Sequence, residues 1–445
     1  LQYFLKRYLT ELADDTFFRR GEIAVVAQYQ RLLDSYLGPT DIGVEHIREL
    51  HRLGYIPLKF NALPEGTHVP LRMPMFTFEN THPDFFWVTN YIETLLSSVM
   101  WLPCTSATTA YRYREMLTRY ALQTGGDPAF VNWQGHDFSF RGHTSPESAA
   151  VSGAAHLLSF TGTDTIPAIE LLEKYYYGAG LIGGSVAATE HSVMSAGGKA
   201  DEGETFERLM KLYPSGILSV VSDTWDLWNV IDNILPKYKD QILARNGKLV
   251  IRPDSGVPED ILCGDMSAEP GSSQYKGVVQ RLYEIFGGTV NAQGFKVLDS
   301  HIGTIYGDSI SEERCRTICT RLRENKFCST NVVLGIGSYT YQHVTRDTDG
   351  FAVKATWAMV NGVERMLFKD PKTDDGSKRS AMGRIGVYGG AKGLPMFDGY
   401  NLKEQARFED TDMLKEVWRD GDFTRAETLT DIRTRVQLGP IGTLH

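Results

Sequence analysis

Residues 248–256 (KLVIRPDSG) combine a guanidinium, a carboxylate and a hydroxyl at the predicted end of a strand. The apolar run at 249–251 is typical of a strand that is covered on both faces. Pro253 has no backbone N–H to donate to a neighbouring strand, so we expect the strand to end near Arg252. Arg252 and Asp254 would then lie at the C-terminal edge of a sheet, where parallel α/β folds bind ligands. For this segment alone, an ordinary turn with a surface ion pair is the alternative.

Three further apolar runs in the middle of the chain end in small or acidic residues. They lie at 217–221, 304–306 and 332–334, and they are followed by Ser222-Asp223, Gly307-Asp308 and Gly335-Ile336-Gly337-Ser338. Helical patterns separate the runs, which indicates repeated β-to-α units. A closed parallel barrel gathers the C-terminal ends of its strands at one mouth, so we predict that these endings share one site.

Two segments that precede these runs carry further candidate side chains. The heptapeptide at 136–142 (HDFSFRG) could bring Phe138 and Arg141 together if its strand ends near Ser139. Core aromatics with one surface arginine are the alternative there. Asp164 lies in a hydroxyl-rich stretch before an apolar helical pattern. It is therefore either a functional acid or the N-cap of that helix.

Other polar residues are ambiguous by themselves. His191 lies between glycine-rich and small-residue stretches, and a lone histidine is more often structural than catalytic. Asp223 could face the site or cap the helix that follows it. The basic residues downstream are either solvated surface charges or a phosphate clamp at the barrel mouth, and they include Arg346, Lys354 and Lys378.

The composition limits the class of protein. A chain of 445 residues is long enough for two or three domains, or for one large barrel with an addition. A net charge of −9 argues against a nucleic-acid binder with a general basic surface. No apolar run has the length that a membrane span needs. The five cysteines are an odd and sparse set, not a disulfide framework, so we predict a cytoplasmic protein.

The elements that would position the candidate residues fall into two groups. Alternating strands and helices at 129–345 predict an α/β domain with an irregular (β/α) barrel-like fold. Residues 1–128 and 346–445 together predict a second, smaller mixed α+β domain. Its best hairpin signal is Asn361-Gly362 between two strand patterns, because a type I′ turn needs positive φ at both central residues.

Three helix predictions outside the site are specific. Residues 225–243 indicate one helix after the run at 217–221. Residues 311–326 indicate a helix whose buried face carries Cys315, Ile318, Cys319 and Leu322. Residues 414–419 indicate a short closing helix.

Taken together, these segments resemble the nicotinamide phosphoribosyltransferase family, which belongs to the type II phosphoribosyltransferases. The resemblance runs along nearly the whole chain and keeps the order and spacing of the family's motifs. Its most specific stretches are 136–142 (HDFSFRG), 162–165 (GTDT), 190–192 (EHS), 220–226 (VVSDTWD), 251–256 (IRPDSG), 307–308 (GD), 345–347 (TRD) and 368–371 (FKDP).

The resemblance implies a reaction, its partners and an assembly. The family joins nicotinamide to 5-phosphoribosyl-1-diphosphate and gives nicotinamide mononucleotide and diphosphate for NAD biosynthesis. Mg²⁺ assists, and ATP hydrolysis through a phosphorylated histidine drives the reaction forward. The family works as a head-to-tail homodimer with its sites at the interface. A segment ahead of the part that matches residues 1–12 carries an aromatic side chain that completes the ring stack in the partner subunit.

The resemblance also implies roles for the residues near the pyridine ring and the reaction centre. Phe138 stacks on the ring, Asp164 accepts a hydrogen bond from the carboxamide, and Ser219 lies near the same pocket. The remaining roles belong to reaction chemistry: His191 matches the phosphorylated histidine, Asp223 orients its imidazole, and Asp254 lies beside the ribose. No metal ligands are assigned.

A second set of residues is implied to hold phosphate and ribose. A planar fork of donors suits phosphate oxygens, so Arg141 and Arg252 are expected to hold the diphosphate or phosphate. The ribose and its 5′-phosphate are expected to contact Gly307, Asp308, Gly337 and Ser338. Further phosphate contacts are expected from Arg346, Lys354 and Lys378.

Two alternatives stay open at this point. A nicotinate phosphoribosyltransferase is the nearest one, although the carboxylate of nicotinate would repel Asp164. A catalytically inactive nucleotide-binding relative is the other. The retention of Arg252, Asp254, His191 and Asp308 argues against an inactive protein.

Overall fold

The chain folds into two units. The computed structural model describes residues 1–38, 41–370, 373, 380–389 and 395–439. The first unit contains Leu1–Leu102, Leu172–Gly178 and Arg346–His445, and the second contains Pro103–Leu171 and Ala179–Thr345. The domain boundaries that we drew from the sequence stay a prediction.

A parallel sheet of seven strands forms the centre of the second unit. In chain order the strands are β1 (Gly135–Asp137), β2 (Gly162–Thr163), β3 (Ala187–Ala188), β4 (Ser215–Val221), β5 (Asn246–Arg252), β6 (Ile302–Tyr306) and β7 (Val332–Ile336). Their spatial order is β2-β1-β7-β6-β5-β4-β3. Every neighbouring pair is parallel, so all seven C-terminal ends lie along one edge.

The sheet curls back on itself. Gly184 forms a parallel bridge with Gly162 of β2, at one margin of the sheet. A few residues later, the same segment becomes β3, which lies at the opposite margin. Residues 184–188 therefore contact both margins, and the predicted irregular barrel-like α/β fold is confirmed.

Helices of the second unit cover the sheet with apolar faces. The helix Glu312–Glu324 buries the predicted face, because Cys315, Ile318, Cys319 and Leu322 are each at most 1% exposed. The other helices are Val131–Gln134, Pro146–His156, His191–Gly197, Glu202–Leu212, Leu227–Asn229, Leu235–Lys237, Lys239–Leu243, Pro258–Cys263, Ser273–Phe286 and Ser338–Gln342, with a π-helix at Val230–Ile234. Short 3₁₀ turns occur at Pro128–Phe130, Phe140–Gly142 and Ser329–Asn331. Two helices, Val88–Gln123 and Ile166–Tyr176, run through unit boundaries.

The first unit is built on an antiparallel sheet of four strands. Their spatial order is Asp422–Phe423, Lys415–Arg419, Leu58–Ala62 and Phe76–Asn80. Two separate hairpins pair Trp357–Val360 with Val363–Met366, and Arg384–Val387 with Met396–Tyr400. Its helices are Gln2–Phe4, Glu22–Leu37, Glu45–Leu53, Leu402–Ala406 and Leu429–Gln437, with π-helices at Leu5–Leu12 and Asp14–Phe18 and a 3₁₀ turn at Pro83–Phe85. The turn at Asn361-Gly362 has φ of 50° and 77°, which confirms the predicted type of hairpin turn.

One helix prediction is wrong and another is confirmed with an irregularity. Lys415–Arg419 is a strand, because pairing with Leu58–Ala62 buries Trp418 completely against Phe60. There tertiary pairing outweighs the helical period. The predicted helix at 225–243 is confirmed over residues 227–243, which are helical except at Tyr238. The π-helical segment Val230–Ile234 lies just ahead of Pro236, which has no N–H to donate to the preceding turn.

Two global features concern the chain's environment. Among the described residues, the structure contains no helix with the length and apolar character of a bilayer span. All five cysteines are free thiols, and four of them are buried.

Candidate functional site

The candidate residues of the second unit lie at the ends of different strands of one sheet. Phe138 follows β1, Asp164 follows β2, and Asp223 lies just beyond β4. Arg252 ends β5, Asp254 follows it, Gly307 and Asp308 follow β6, and Gly337 and Ser338 follow β7. Backbone hydrogen bonds connect these loops, because Ser222 N–H donates to Arg252 O at 3.0 Å and Gly307 N–H donates to Pro253 O at 3.1 Å.

Phe138 and Arg252 contact each other at this edge. The guanidinium carbon of Arg252 lies 4.5 Å from the centre of the Phe138 ring. The imidazole of His136 lies 4.5 Å from the same ring, tilted by 39°. A Cβ on Gly335 would lie 2.7 Å from Phe138 Cδ2, so only glycine allows this close approach. The Arg252 guanidinium therefore covers part of the Phe138 ring, and it could also hold an anion.

Asp164 is held by side chains and does not cap a helix. His136 Nε2 lies 2.8 Å from Asp164 Oδ1, and the Ser185 hydroxyl donates to the same oxygen at 2.6 Å. Thr163 Oγ1, not Asp164, accepts the backbone N–H of Thr165 ahead of the helix. Burial works to raise the pKa of Asp164, but the donors and the charges of His136 and Arg252 outweigh it and hold the pKa below its usual value. The N-cap alternative for Asp164 is therefore wrong.

His191 faces two carboxylates. Its Nε2 lies 3.7 Å from Asp254 Oδ2 and 4.0 Å from Asp223 Oδ1, and its Nδ1 lies 3.1 Å from the Thr224 hydroxyl. The imidazole is half exposed, whereas only 4% of the Asp223 side chain is exposed. Asp223 Oδ2 accepts the Asp254 N–H at 2.8 Å and the Ser255 hydroxyl at 2.6 Å. Asp223 is thus fixed by β5's loop, with its other oxygen directed toward the histidine.

Three carboxylates from three strand ends act electrostatically on Tyr306. Its pKa is raised by burial first and then by the negative charges of Asp223, Asp254 and Asp308. The Tyr306 hydroxyl donates to Gly256 O at 3.0 Å, so it does not neutralise any of the three. A Cβ on Gly307 would lie 2.7 Å from Asp254 Oδ1 and 2.9 Å from Arg252 Nε. The backbone at 307 therefore lies directly against the acid and the cation of β5.

The remaining candidate residues lie in the second unit, in the first unit or outside the described residues. Ser219 is buried in β4, and Arg141 is exposed on the turn after β1, with no partner in the described part of the chain. Ser338 lies against Gly142, where any Cβ would clash, and Gly337 lies close to Asp308. Arg346 pairs with Asp347 at 3.2 Å in the first unit, and Lys354 is exposed in that unit. Lys378 lies outside the described residues.

The donor set can be compared with the needs of Mg²⁺. Within the described ranges, no group of three or more His, Cys, Asp or Glu side chains is arranged around a metal position. Asp223 Oδ1 and Asp254 Oδ1 are buried acceptors without a hydrogen-bond partner there. Mg²⁺ commonly takes only one or two protein carboxylates and completes its shell with substrate phosphates and water. The residues therefore fit a metal that arrives with a phosphate substrate, and they do not form a complete protein cage.

Sequence reasoning missed several residues of the site. Ser185 and Thr224 each contact a candidate residue from a different strand end, and short hydroxyl residues carry no signal of such contacts in a single sequence. Ser255, whose loop the sequence did indicate, contacts Asp223. Ser309 has φ of 59°, an unusual backbone conformation for a non-glycine residue, in the loop after β6. Only the small-residue endings of the strands pointed to this region.

Three comparisons with known proteins show which proteins this chain is similar to. A family model described as the nicotinate phosphoribosyltransferase family matches residues 133–421. A protein of Acinetobacter baylyi named nicotinamide phosphoribosyltransferase is 49% identical over 443 residues, which cover 98% of this chain and 87% of the relative. A protein of Mycoplasma pneumoniae with the same name is 39% identical over 352 residues, 77% of this chain and 75% of the relative. The crystal structure of human nicotinic acid phosphoribosyltransferase aligns with a TM-score of 0.51 and 15% identity over 93% of this chain and 81% of that one. At that identity the structural likeness concerns the fold alone.

Proposed function

Since this chain belongs to the nicotinate phosphoribosyltransferase family, we propose that it transfers the phosphoribosyl group of 5-phosphoribosyl-1-diphosphate to nicotinamide. The products are nicotinamide mononucleotide and diphosphate, and the reaction serves NAD salvage. The observation that carries the choice of nicotinamide is the Asp164 carboxylate, which is 43% exposed and has a lowered pKa. The printed names of the Acinetobacter and Mycoplasma relatives support the same choice.

An ionised carboxylate distinguishes the two pyridine substrates. The carboxamide of nicotinamide has N–H groups to donate, whereas the carboxylate of nicotinate has none and carries a like charge. His136 contacts both the Asp164 carboxylate and the Phe138 ring, so the acceptor and the aromatic surface are neighbours. In the proposed complex the pyridine ring stacks on Phe138, its amide faces Asp164, and Ser219 lies near the pocket.

The leaving group needs cations. Displacement at the anomeric carbon places positive charge on the ribose and negative charge on the diphosphate, and preorganised charges lower this barrier. Arg252 has a buried Nε without a partner in the described part of the chain, which supports a role as an anion ligand. Arg141 is proposed as a second cation for the diphosphate, and Asp254 as the acid beside the ribose.

The phosphate end of the substrate is assigned to the loops after β6 and β7. The backbone at Gly307 lies close to Arg252 and Asp254, and Gly337 lies close to Asp308, which supports a shared substrate pocket. The residues proposed to line the ribose and 5′-phosphate are Gly307, Asp308, Gly337 and Ser338. Arg346, Lys354 and Lys378 are proposed to complete the phosphate contacts in a homodimer whose sites lie at the subunit interface.

Mg²⁺ is proposed as the metal that accompanies the diphosphate. When bound, it supplies positive charge to the leaving group. Asp254 would hold it together with the phosphate oxygens, since Asp254 Oδ1 is a buried acceptor without a partner within the described residues. This chain's own contribution is to orient the diphosphate with Arg252 and to offer a carboxylate oxygen of Asp254 to the metal.

ATP is proposed as a co-substrate that phosphorylates His191. A hydrogen on Nε2 faces Asp254 and Asp223, which leaves the lone pair on Nδ1. In this step the Nδ1 lone pair attacks the terminal phosphorus of ATP, the bond to the bridging oxygen breaks, and ADP leaves. Asp223 keeps the imidazole oriented and stabilises the positive charge that forms on it.

A substrate comparison tests the main proposal. Purified protein with 5-phosphoribosyl-1-diphosphate and Mg²⁺ should convert nicotinamide to its mononucleotide far faster than it converts nicotinate. Equal or reversed rates would instead support the nicotinate alternative, and no release of diphosphate from either pyridine would support an inactive relative. Asp164→Asn should bring the two rates closer together, because the amide can donate to a carboxylate. An unchanged ratio in that variant would remove Asp164 from the recognition of the ring substituent.

A further inference from the structure

Two side chains that the proposed reaction does not use converge on one oxygen of Asp164. His136 Nε2 lies 2.8 Å from Oδ1, and the Ser185 hydroxyl lies 2.6 Å from it. We propose that His136 and Ser185 are positioning residues that make the site select a carboxamide over a carboxylate, by occupying Oδ1 and leaving Oδ2 of Asp164 for the amide. This inference rests on the proposed function and assigns part of its specificity to residues that need not touch the substrate.

The two donors leave one oxygen of Asp164 available. No hydrogen bond from the described residues reaches Oδ2, and 43% of the side chain is exposed. An incoming amide therefore meets a single free acceptor with a fixed direction. Without the two donors, the carboxyl group could rotate and present either oxygen.

The histidine is itself held in place. His136 is buried, its ring packs on Phe138, and a Cβ on Gly162 would lie only 2.7 Å from Nδ1. The backbone of β2 thus supports the ring on the side away from Asp164. Because the His136 ring contacts both side chains, it fixes the direction of the Asp164 carboxylate relative to the Phe138 ring.

The charge state of Asp164 is the second half of the argument. A protonated Asp164 would have an O–H to donate to nicotinate and would no longer repel it. The charged groups that act on Asp164 are His136 and Arg252, and Ser185 adds a neutral donor. All three favour the ionised form, whereas burial opposes it. Removing donors should therefore let nicotinate bind as the pH falls.

Four variants test the inference in the full-length protein. Ser185→Ala and His136→Phe each remove one donor, whereas Ser185→Thr and His136→Gln keep a hydroxyl or an N–H. The quantity measured is the ratio of kcat/KM for nicotinamide to kcat/KM for nicotinate between pH 5.5 and pH 8. One unit of pKa multiplies the protonated fraction about tenfold. We expect the ratio to fall about tenfold in the two donor-removing variants across this pH range, because the protonated fraction rises by the same factor at any pH well above the pKa, and to recover in Ser185→Thr.

A direct titration separates this inference from the proposed function. The ¹³C signal of the Asp164 carboxyl group, assigned by its loss in Asp164→Asn, should titrate at higher pH in Ser185→Ala than in the wild type. If His136→Phe fails to fold, Ser185→Ala decides alone, because residue 185 is exposed. An unchanged titration together with an unchanged substrate ratio overturns the inference. Failure of the wild type to use nicotinamide would overturn the proposed function, and it would leave the titration as an independent result.

Discussion

Arg252 illustrates how single residues of the site are prepared for a ligand. Its guanidinium lies over Phe138, and its Nε is buried without a hydrogen-bond partner in the described chain. A native protein rarely leaves a buried donor unused unless a ligand or water completes it. Packing on an aromatic ring therefore keeps a cation in place while reserving its hydrogen bonds for an anion.

Replacing Arg252 should affect the transition state more than the fold. Arg252→Lys keeps the charge but loses the planar fork, and we expect kcat/KM for 5-phosphoribosyl-1-diphosphate to fall about a hundredfold, or about 3 kcal/mol in the barrier. Steady-state kinetics with varied 5-phosphoribosyl-1-diphosphate measure this loss. Arg323→Lys, on a helix away from the strand ends, is the matched control and should stay within twofold of wild type. A variant with Arg252→Lys that keeps full activity would exclude the assigned role.

His191 gives a second prediction at the same scale. Incubation with ATP labelled at the γ-phosphate should give a protein-bound phosphate that is labile in acid and stable in base. Asp223→Asn should lower the yield of label, because the amide removes the negative charge that stabilises the imidazolium. His191→Ala should remove the label entirely. Full labelling of His191→Ala would show that the phosphate is on another residue, and the proposed route through His191 would fail.

Among the elements, three strands of the first unit meet at one carboxylate. Glu79 accepts hydrogen bonds from Arg384 with both oxygens and lies 2.6 Å from Lys59 Nζ. Burial works to raise the pKa of Glu79, but the two cations outweigh it and lower the pKa to about 2 from 4.5. The folded-state pKa is below the unfolded value, so this stabilisation is present above about pH 4.5 and is lost as the pH falls toward 2.

The change Glu79→Gln should therefore destabilise the protein in a pH-dependent way. We expect the free energy of unfolding to fall by about 2 kcal/mol at pH 7, because two partly buried cations lose their counterion. The difference from wild type should shrink below about pH 4.5 and nearly vanish near pH 2. Urea unfolding at several pH values measures it. Glu416→Gln, which breaks a more exposed pair with Arg419, should cost at most about 1 kcal/mol; a pH-independent loss in Glu79→Gln would contradict the argument.

The elements also show what periodicity can and cannot predict. The strand ends at Arg252 and Tyr306 were accessible from sequence, because an apolar run followed by proline or glycine has a local physical cause. The strand at Lys415–Arg419 was not, because its stability comes from pairing with residues more than 350 positions away. The hydroxyl partners Ser185 and Thr224 were missed for the same reason. Ser185 reaches Asp164 only when the sheet curls, and Thr224 reaches His191 only when β3 pairs with β4.

At the scale of the whole molecule, the described candidate residues are unequally distributed between the two units. Twelve of the candidates belong to the second unit, whereas Arg346 and Lys354 belong to the first. The acids Asp223, Asp254 and Asp308 occur at one edge of a single sheet, in a chain whose net charge is already −9. A ligand that brings cations to these carboxylates should therefore stabilise this edge.

Hydrogen exchange, measured with and without substrate, tests whether the substrate binds at the strand ends of the second unit. A ligand present at a hundred times its Kd adds about 2.7 kcal/mol to stability, which slows exchange through global opening about a hundredfold. With 5-phosphoribosyl-1-diphosphate and Mg²⁺, we expect the strongest added protection in peptides that contain the loops after β1, β4, β5, β6 and β7. Inorganic phosphate at the same concentration is the control for a non-specific anion effect, and Arg252→Lys should weaken the protection. Protection that appeared only in the first unit would show that the substrate binds away from the strand ends. The position of these loops at one edge of the sheet would then have no bearing on the reaction.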